Sequence, residues 1–326
     1  MTVDLTVVIP TRDKRELLAR TLAALARQDL PAARWDVVVV DDASGDDTAA
    51  WLDAQRAAWG DRLTVVHAAK NVGRARARNL GAERGRGRWL LFLDDDIEAP
   101  PGLLSAHLAR LDGTRHTGTI GLVRTAGAIV DAPHFHYIDT RGAAKIRRDP
   151  VPARYLVTQN CAVPRDDFAA VDGFDPGFTG YGFEDMDLGF RLEENCGTRF
   201  LLVDRPVPLH WHHHTLDQYL AKKRLCGHGA LQRIAERHPC RLREMRLHWV
   251  IDPPGRRAPL AVRWLRRLAA GGGDRFLAVL LASWPRCGAA ARPMLFPLYA
   301  RLMDAAILAA MCHGVADFRG RSLTGN

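Results

Sequence analysis

Short β-branched runs alternate with segments of helical period over roughly the first hundred positions. Residues 5–9 form the first such run, which Pro10 stops. Asp13 followed by Glu16 makes a capping-box pattern, and Leu17, Leu18, Thr21, Leu22 and Leu25 then recur on one helical face. Residues 35–40 read as a second strand. Ser44 and Asp47 are candidate caps for a helix carrying Trp51 and Leu52. Residues 63–66 form a third strand, and Asn71 is a candidate cap for a helix over about residues 74–83. Residues 89–93 form a fourth strand that runs into Asp94. This β-α-β-α-β-α-β order predicts a parallel sheet flanked by helices.

Further along, Pro100-Pro101 opens a helix with Leu103, Leu104, His107, Leu108 and Leu111 on one face. Residues 113–155 are mixed and Gly-rich, and predict short strands and a mobile loop. Residues 155–163 read as a strand. Residues 184–195 read as a helix stopped by Gly197. From about Tyr219 the pattern is helical, broken at Pro253-Pro254 and Gly271-Gly272-Gly273. The division expected is 1–218 for a catalytic domain, with 1–112 binding nucleotide and 113–218 binding acceptor. A basic helical region over 219–326 follows.

Composition changes this picture in one respect. The chain of 326 residues carries a net charge of +9. Residues 1–220 are net −4, whereas residues 221–326 hold 19 Lys/Arg against 6 Asp/Glu. The last third therefore invites an anionic partner, or is an Arg-rich helical surface. No cysteine lies in a C-x-x-C pair, so reduced thiols are expected. The first ten residues read as a strand and not as a leader, which predicts a cytoplasmic protein. The most apolar stretch, 294–312, is interrupted by Arg301 and Asp304, so no membrane span is expected. Its Met294, Leu295, Leu298, Leu302, Ala305 and Ala309 approximate a stripe beside Arg292 and Arg301. Such a helix either lies on an anionic membrane or packs on the catalytic domain.

Ligands of an open parallel sheet bind beyond the carboxyl ends of its strands. Polar clusters stand there: Thr11-Arg12-Asp13, Asp41-Asp42 and Asp94-Asp95-Asp96. Three adjacent carboxylates require a positive counterpart, and a divalent cation serves. Strand alternation would point Asp94 and Asp96 one way and Asp95 the other. In Gly180-Tyr181-Gly182-Phe183-Glu184-Asp185, two acids open a helix on which Asp187 and Arg191 can pair. His210-Trp211-His212-His213-His214 offers imidazoles, which ligate divalent metals. Arg74 and Arg78 share a helical face near an N-terminus, an arrangement suited to a diphosphate. Net acidity in residues 1–220 argues against nucleic acid there.

These segments, in this order, resemble family-2 nucleotide-sugar glycosyltransferases. The matching stretches are Val7-Val8-Ile9-Pro10-Thr11, Val40-Asp41-Asp42-Ala43-Ser44, Asn71 to Asn79, Phe92 to Asp96, Gly173-Phe174-Asp175, Glu184-Asp185 to Arg191-Leu192, and the histidines. The resemblance implies a GT-A (Rossmann-like) α/β fold with a mixed, mostly parallel sheet and a helical C-terminal extension. It also implies an inverting, metal-dependent transfer. A nucleoside-diphosphate sugar, a UDP-sugar foremost, would be the donor; a glycan, lipid-linked or small-molecule hydroxyl would be the acceptor. Thr11 and Asp41 would meet base and ribose. Pro10, Arg12, Asp42, Asn71, Gly73 and Asp95 would line the nucleotide, and Arg78 would support the diphosphate. Asp94 and Asp96 form the D-x-D pair, with Mn²⁺ or Mg²⁺ on Asp96 and Asp94 on metal or ribose. Asp185 matches the catalytic base, with Glu184 orienting the acceptor. His210, then His212, is the histidine that would complete the metal site. A non-catalytic sugar- or nucleotide-binding protein is the alternative, as is a nucleotidyltransferase, although Thr11-Arg12-Asp13-Lys14-Arg15 lacks the glycines of that class.

Overall fold

The computed structural model describes residues 3–111, 115–127, 132–146, 148–211, 214–252, 255, 257–284 and 292–324. Its strands are β1 (Leu5–Thr11), β2 (Trp35–Asp41), β3 (Leu63–His67), β4 (Trp89–Leu93), β5 (Ile97–Glu98), β6 (Thr117–Gly121), β7 (Arg124–Thr125), β8 (Asn160–Pro164), β9 (Arg199–Val203) and β10 (Leu209–His210). Its helices are α1 (Arg15–Leu25), α2 (Thr48–Trp59), α3 (Arg74–Arg84), α4 (Leu103–Leu111), α5 (Pro133–Asp139), α6 (Arg165–Ala170), α7 (Glu184–Cys196), α8 (Leu216–Cys226), α9 (Ala230–Arg237), α10 (Leu260–Leu268), α11 (Asp274–Ala282) and α12 (Arg292–Thr324). Two compact units emerge. The first is Met1–Ala126, Arg141–Pro176 and Glu184–His212; the second is Gly127–Thr140, Gly177–Phe183 and His213–Asn326.

The first unit is built on a seven-stranded sheet of order β3-β2-β1-β4-β8-β6-β9. All its pairings are parallel except those of β8, which runs against β4 and β6. Both faces are covered, which explains the unbroken apolar runs of the strands. Val7, Ile9, Val37, Val39, Leu91 and Leu93 pack with Leu18, Leu22, Leu25, Leu104 and Leu108 on one face. Val38, Val40 and Ala77 pack on the other, where Phe92, Phe168 and Phe174 also form an aromatic cluster. Strand β1 continues through Pro10 because its ladder with β4 ends at Val8↔Phe92, so the missing N–H leaves no bond unmade. His107 is fully buried between Thr119 Oγ1 (2.7 Å) and Asn160 Oδ1 (2.9 Å); burial pushes its imidazole down to about 4, so it is neutral.

Several local expectations change. Asp13 does not cap α1: it adopts φ 53°, and its Oδ1 accepts from Gly45 N at 2.6 Å, leaving Lys14 as N-cap. Ser44 Oγ accepts from Asp13 N, and neither Ser44 nor Asp47 caps α2 through its side chain. The segment expected as one strand over 155–163 begins with a 3₁₀ turn at Ala153–Tyr155 and pairs only from Asn160. The break expected at Pro253-Pro254 lies outside the described residues.

Gly87 is held against the backbone of β1. A Cβ there would meet Thr6 N at 2.4 Å and Leu5 C at 2.6 Å, atoms that cannot step aside. The same turn is pinned by Thr6 Oγ1, which accepts from Gly87 N and Arg86 N and donates to Asp36 Oδ1. Gly87→Ala is therefore expected to destabilise the protein by about 2–3 kcal/mol through overpacking. A lowered urea midpoint at unchanged slope is the readout.

The second unit is helical. Tyr137, Leu220, Leu281, Trp284, Tyr299, Ala300, Met303 and Ala306 form its core. Within α12, Met294–Phe318 is long and apolar enough to cross a membrane by length and composition, with a mean hydropathy of 1.5. The expectation of no such stretch is corrected here, since Arg301 and Asp304 are outweighed by the apolar residues around them. Tyr299, Met303, Ala306 and Ala310 are buried, as befits a core helix. The stripe expected along α12 is also divided: Met294 and Leu298 are exposed, whereas Ala309 is buried.

Candidate active site

The carboxyl ends of β1, β2 and β4 bring Thr11, Asp41 and Asp94 to one edge of the first unit's sheet; Thr11 and Asp41 are register partners. Asp41 is buried. Its Oδ1 accepts from Ser44 N at 3.0 Å, and its Oδ2 lies 3.1 Å from His67 Nδ1. Asp42 is buried too and accepts from Val72 N (2.6 Å) and Gly73 N (3.0 Å). It thereby ties the loop before α3 to the end of β2. Gly73 takes φ 81° as N-cap, and Asn71 Oδ1 accepts from its N–H at 2.9 Å, so Asn71 shapes the turn and does not cap the helix itself.

The acidic triplet splits differently from strand alternation. The ladder stops at Leu93, and Asp95 and Asp96 form a turn after Asp94. Asp95 and Asp96, expected to diverge, share one ammonium: Lys14 Nζ lies 2.8 Å from Asp95 Oδ1 and 3.0 Å from Asp96 Oδ2. Asp95 is further fixed by Thr11 Oγ1, which donates to its Oδ2 at 2.8 Å, and by Thr21 Oγ1, which donates to its backbone oxygen. Burial pushes the Asp95 carboxyl up to about 6 despite Lys14. Burial also opposes the charges on Asp96 and Lys14, but His210 and then Lys14 outweigh it for Asp96, and Asp95 and then Asp96 for Lys14. Asp96 sits well below the usual carboxylate range, and Lys14 is held protonated. Lys14 was not a candidate from the sequence; as a lone lysine after a strand it carries no motif.

Asp94 turns the other way. Arg78, only 4% exposed, donates through Nη2 to Asp94 Oδ1 at 3.0 Å and lies 3.4 Å from Glu184 Oε1 through Nη1. Its guanidinium also stands 5.7 Å from the Phe174 ring centroid. Arg74 Nε is 3.8 Å from the same Glu184 oxygen, so the two arginines do share a face. Glu184 is buried. Burial, then the neighbouring Asp185 charge, raise its carboxyl above the usual range against the pull of Arg78 and Arg74. Glu184 Oε2 and Arg78 Nε are buried without a hydrogen-bond partner, an acceptor and a donor left unmet at one place. Asp185 is half-buried in the first turn of α7, and its Oδ2 accepts from Thr158 N at 3.3 Å. Asp187 is buried and pairs with Arg191 Nε at 2.8 Å, anchoring the helix behind them.

His210 arrives by a separate route. Strands β5, β10 and β7 form a small sheet in which His210 pairs with Ile97, next to Asp96. Trp211 N donates to Asp96 O at 2.9 Å, and its ring packs under Arg20 at 4.0 Å. His210 Nε2 thus lies 3.2 Å from Asp96 Oδ1, and this contact raises its pKa against burial. His214 belongs to the second unit, stacked on Tyr219. His212 lies outside the described residues. Among the described residues no set of three or more His, Cys, Asp or Glu groups forms a ready metal cage. Asp96 and His210 supply a carboxylate and an imidazole side by side. That partial set fits a divalent cation. Pro10 is half-buried in β1, and Arg12 is exposed 3.4 Å from Asp13.

The family model for glycosyl transferase family 2 matches residues 6–170, over half of the chain. The chain belongs to glycosyl transferase family 2. A model described as the N-terminal domain of galactosyltransferase also matches residues 147–214, which include Glu184, Asp185 and His210. Among family relatives, validoxylamine A glucosyltransferase of Streptomyces hygroscopicus subsp. jinggangensis is 34% identical over 218 residues, covering 58% of this chain and 51% of the relative. The chain thus spans about half the length of such curated relatives. The mannosyltransferase PcManGT of Pyrobaculum calidifontis, solved with GDP-Man and Mn²⁺, superposes with a TM-score of 0.61 at 20% identity, over 96% of this chain and 87% of that one. S. aureus TarS 1-349 with UDP-GlcNAc gives 0.53 at 16% identity, over 98% and 92%. The family-2 chain has the GT-A fold these structures share.

Proposed function

We propose that this family-2 chain transfers a glycosyl group from a nucleoside-diphosphate sugar to an acceptor hydroxyl, with inversion at the anomeric carbon. One observation carries the reading. Buried Arg78 joins Asp94, at the end of β4, to Glu184, at the start of α7, with Asp185 beside it. Donor-binding and acid–base groups are thereby fixed to one another. Thr11, Asp41 and the loop that Asp42 holds at Asn71–Gly73 would receive base and ribose, with Pro10 and Arg12 at its margin.

Asp96 and His210 would hold Mn²⁺ or Mg²⁺, and Asp94 would meet the ion or the ribose. Bound there, the ion neutralises charge on the departing diphosphate. Arg78 contributes a fixed positive charge from a site where water is scarce. Asp185 takes the acceptor proton as its oxygen bonds to the anomeric carbon and the carbon–phosphate-oxygen bond breaks. Glu184, immobilised by two arginines, positions this helix start.

The test is a thermal-shift panel of sugar nucleotides with Mn²⁺. Glucosyl donors head it because the Streptomyces relative is named a glucosyltransferase, and GDP-mannose follows from the solved mannosyltransferase complex. A donor at about 100 times its Kd is expected to add roughly 2.7 kcal/mol of stability. No shift with any donor would contradict the reading. For turnover, chelation is expected to slow transfer by about a hundredfold or more, with Mn²⁺ restoring it. Undiminished transfer in excess EDTA would remove the cation from the proposal.

A further inference from the structure

Three helices of the second unit turn apolar side chains outward. On α10, Leu260, Trp264, Leu265 and Leu268 form one stripe and are 78%, 61%, 54% and 53% exposed. No residue of this helix is buried. Its inner face carries half-buried Val262 and Arg266, and Arg266 donates to His248 O (2.8 Å), Trp249 O (3.0 Å) and Asp252 Oδ1 (2.6 Å). The helix thus shows water most of its apolar side chains and shows the protein a cation.

After the π-helical turn Ala269–Gly273, α11 exposes Phe276, Val279 and Leu280 at i, i+3 and i+4, while Leu281 enters the core. Helix α12, against which α11 packs, begins with Met294, Leu295 and Leu298 exposed. Single exposed leucines are ordinary, but ten large apolar side chains on three neighbouring helices are not.

The charges around them select the partner. Residues 253–303 contain nine arginines, no lysine and one acid, Asp274. That acid is buried and held by Arg224 Nη2 at 2.5 Å and His313 Nδ1 at 3.1 Å. Arg263, Arg267 and Arg275 are exposed. On α10, Arg263 and Arg267 flank the apolar stripe, one turn apart. An apolar face edged by arginine, with its sole acid withdrawn, matches an interfacial membrane helix. A second copy of the chain is a poor occupant, because a two-fold contact brings the same arginines face to face.

We infer that α10, α11 and the start of α12 dock on an anionic lipid bilayer. The apolar side chains enter the boundary between headgroups and acyl chains, and the three arginines meet the acidic headgroups. This surface differs from the continuous α12 stripe expected from the sequence, and it does not depend on the catalytic reading.

Flotation of the full chain with phosphatidylcholine vesicles, with and without phosphatidylglycerol, tests it. The wild type is expected to float with the anionic vesicles only, and less at high salt. Trp264→Asp with Phe276→Asp should lower partitioning by about a hundredfold or more. Arg263→Gln with Arg267→Gln and Arg275→Gln should lower it by about tenfold or more and flatten the salt dependence. All five residues are exposed, so the melting temperature should hold and confirm that folding is intact. Failure of the wild type to float, or flotation of the Trp264/Phe276 variant like wild type, would overturn the proposal. So would a dimer in solution that this variant dissolves while the wild type ignores vesicles.

Discussion

Asp185→Asn is expected to cut the turnover number by a factor on the order of 10² to 10⁴ while donor affinity stays within about threefold. The change removes a proton acceptor but keeps a side chain of the same size. Its one recorded backbone contact, from Thr158 N at 3.3 Å, can still be accepted by the amide oxygen. The buried ties around it, Arg78 to Glu184 and Arg191 to Asp187, do not involve its oxygens and should survive. Asp185 is half-buried whereas Glu184 is buried and engaged by arginine, so Asp185 is the carboxylate able to meet an acceptor. Initial-rate kinetics set beside donor titration separate the two effects. A variant with wild-type turnover would move the base elsewhere; one that loses donor binding as well would make Asp185 a binding residue.

Arg78→Met should have the largest effect on stability, about 3–5 kcal/mol, because it leaves a buried carboxylate with only the longer contact to half-exposed Arg74. The cost falls chiefly on Glu184, whose side chain is 4% exposed, and less on Asp94, whose side chain is 31% exposed and open to water. Glu184→Gln placed in the Arg78→Met background should recover part of the loss, so the two changes will not add. Urea unfolding of the single and double variants measures this. Full additivity would mean that the pair is not coupled. The same Arg78 variant is expected to lose the thermal shift given by a donor, since the guanidinium proposed to face the diphosphate is gone.

Much of the first unit was legible because a parallel sheet covered on both faces writes its strands as unbroken apolar runs. β4 begins and ends where its five apolar residues do, and α4 buries the five residues its periodicity named. The clusters at Thr11, Asp41 and Asp94 could be placed for the same reason, since strand ends locate them. Errors arose where side chains competed for the backbone. Asp13 fits a capping pattern, but the distant Gly45 N–H captures it, and no local rule contains that contact. Alternation at the acidic triplet failed because the ladder ends at Leu93, one residue before it applies. Lys14 was invisible because its role depends on folding Asp95 and Asp96 back onto the start of α1, some eighty positions away in sequence. The separation of His210 from His214 likewise follows from β10 pairing with β5, which two residues of strand could not announce.

The central claim is that Asp96 and His210 hold a cation against the diphosphate of an activated sugar. Anomalous diffraction at the manganese edge, from crystals soaked separately with UDP and with GDP in MnCl₂, tests this most directly. One peak is expected within coordination distance of Asp96, His210 and the diphosphate oxygens, with Lys14 displaced from Asp96. A nucleotide bound at the end of β4 with no manganese beside Asp96, or with Lys14 still bridging Asp95 and Asp96 in its place, would contradict it.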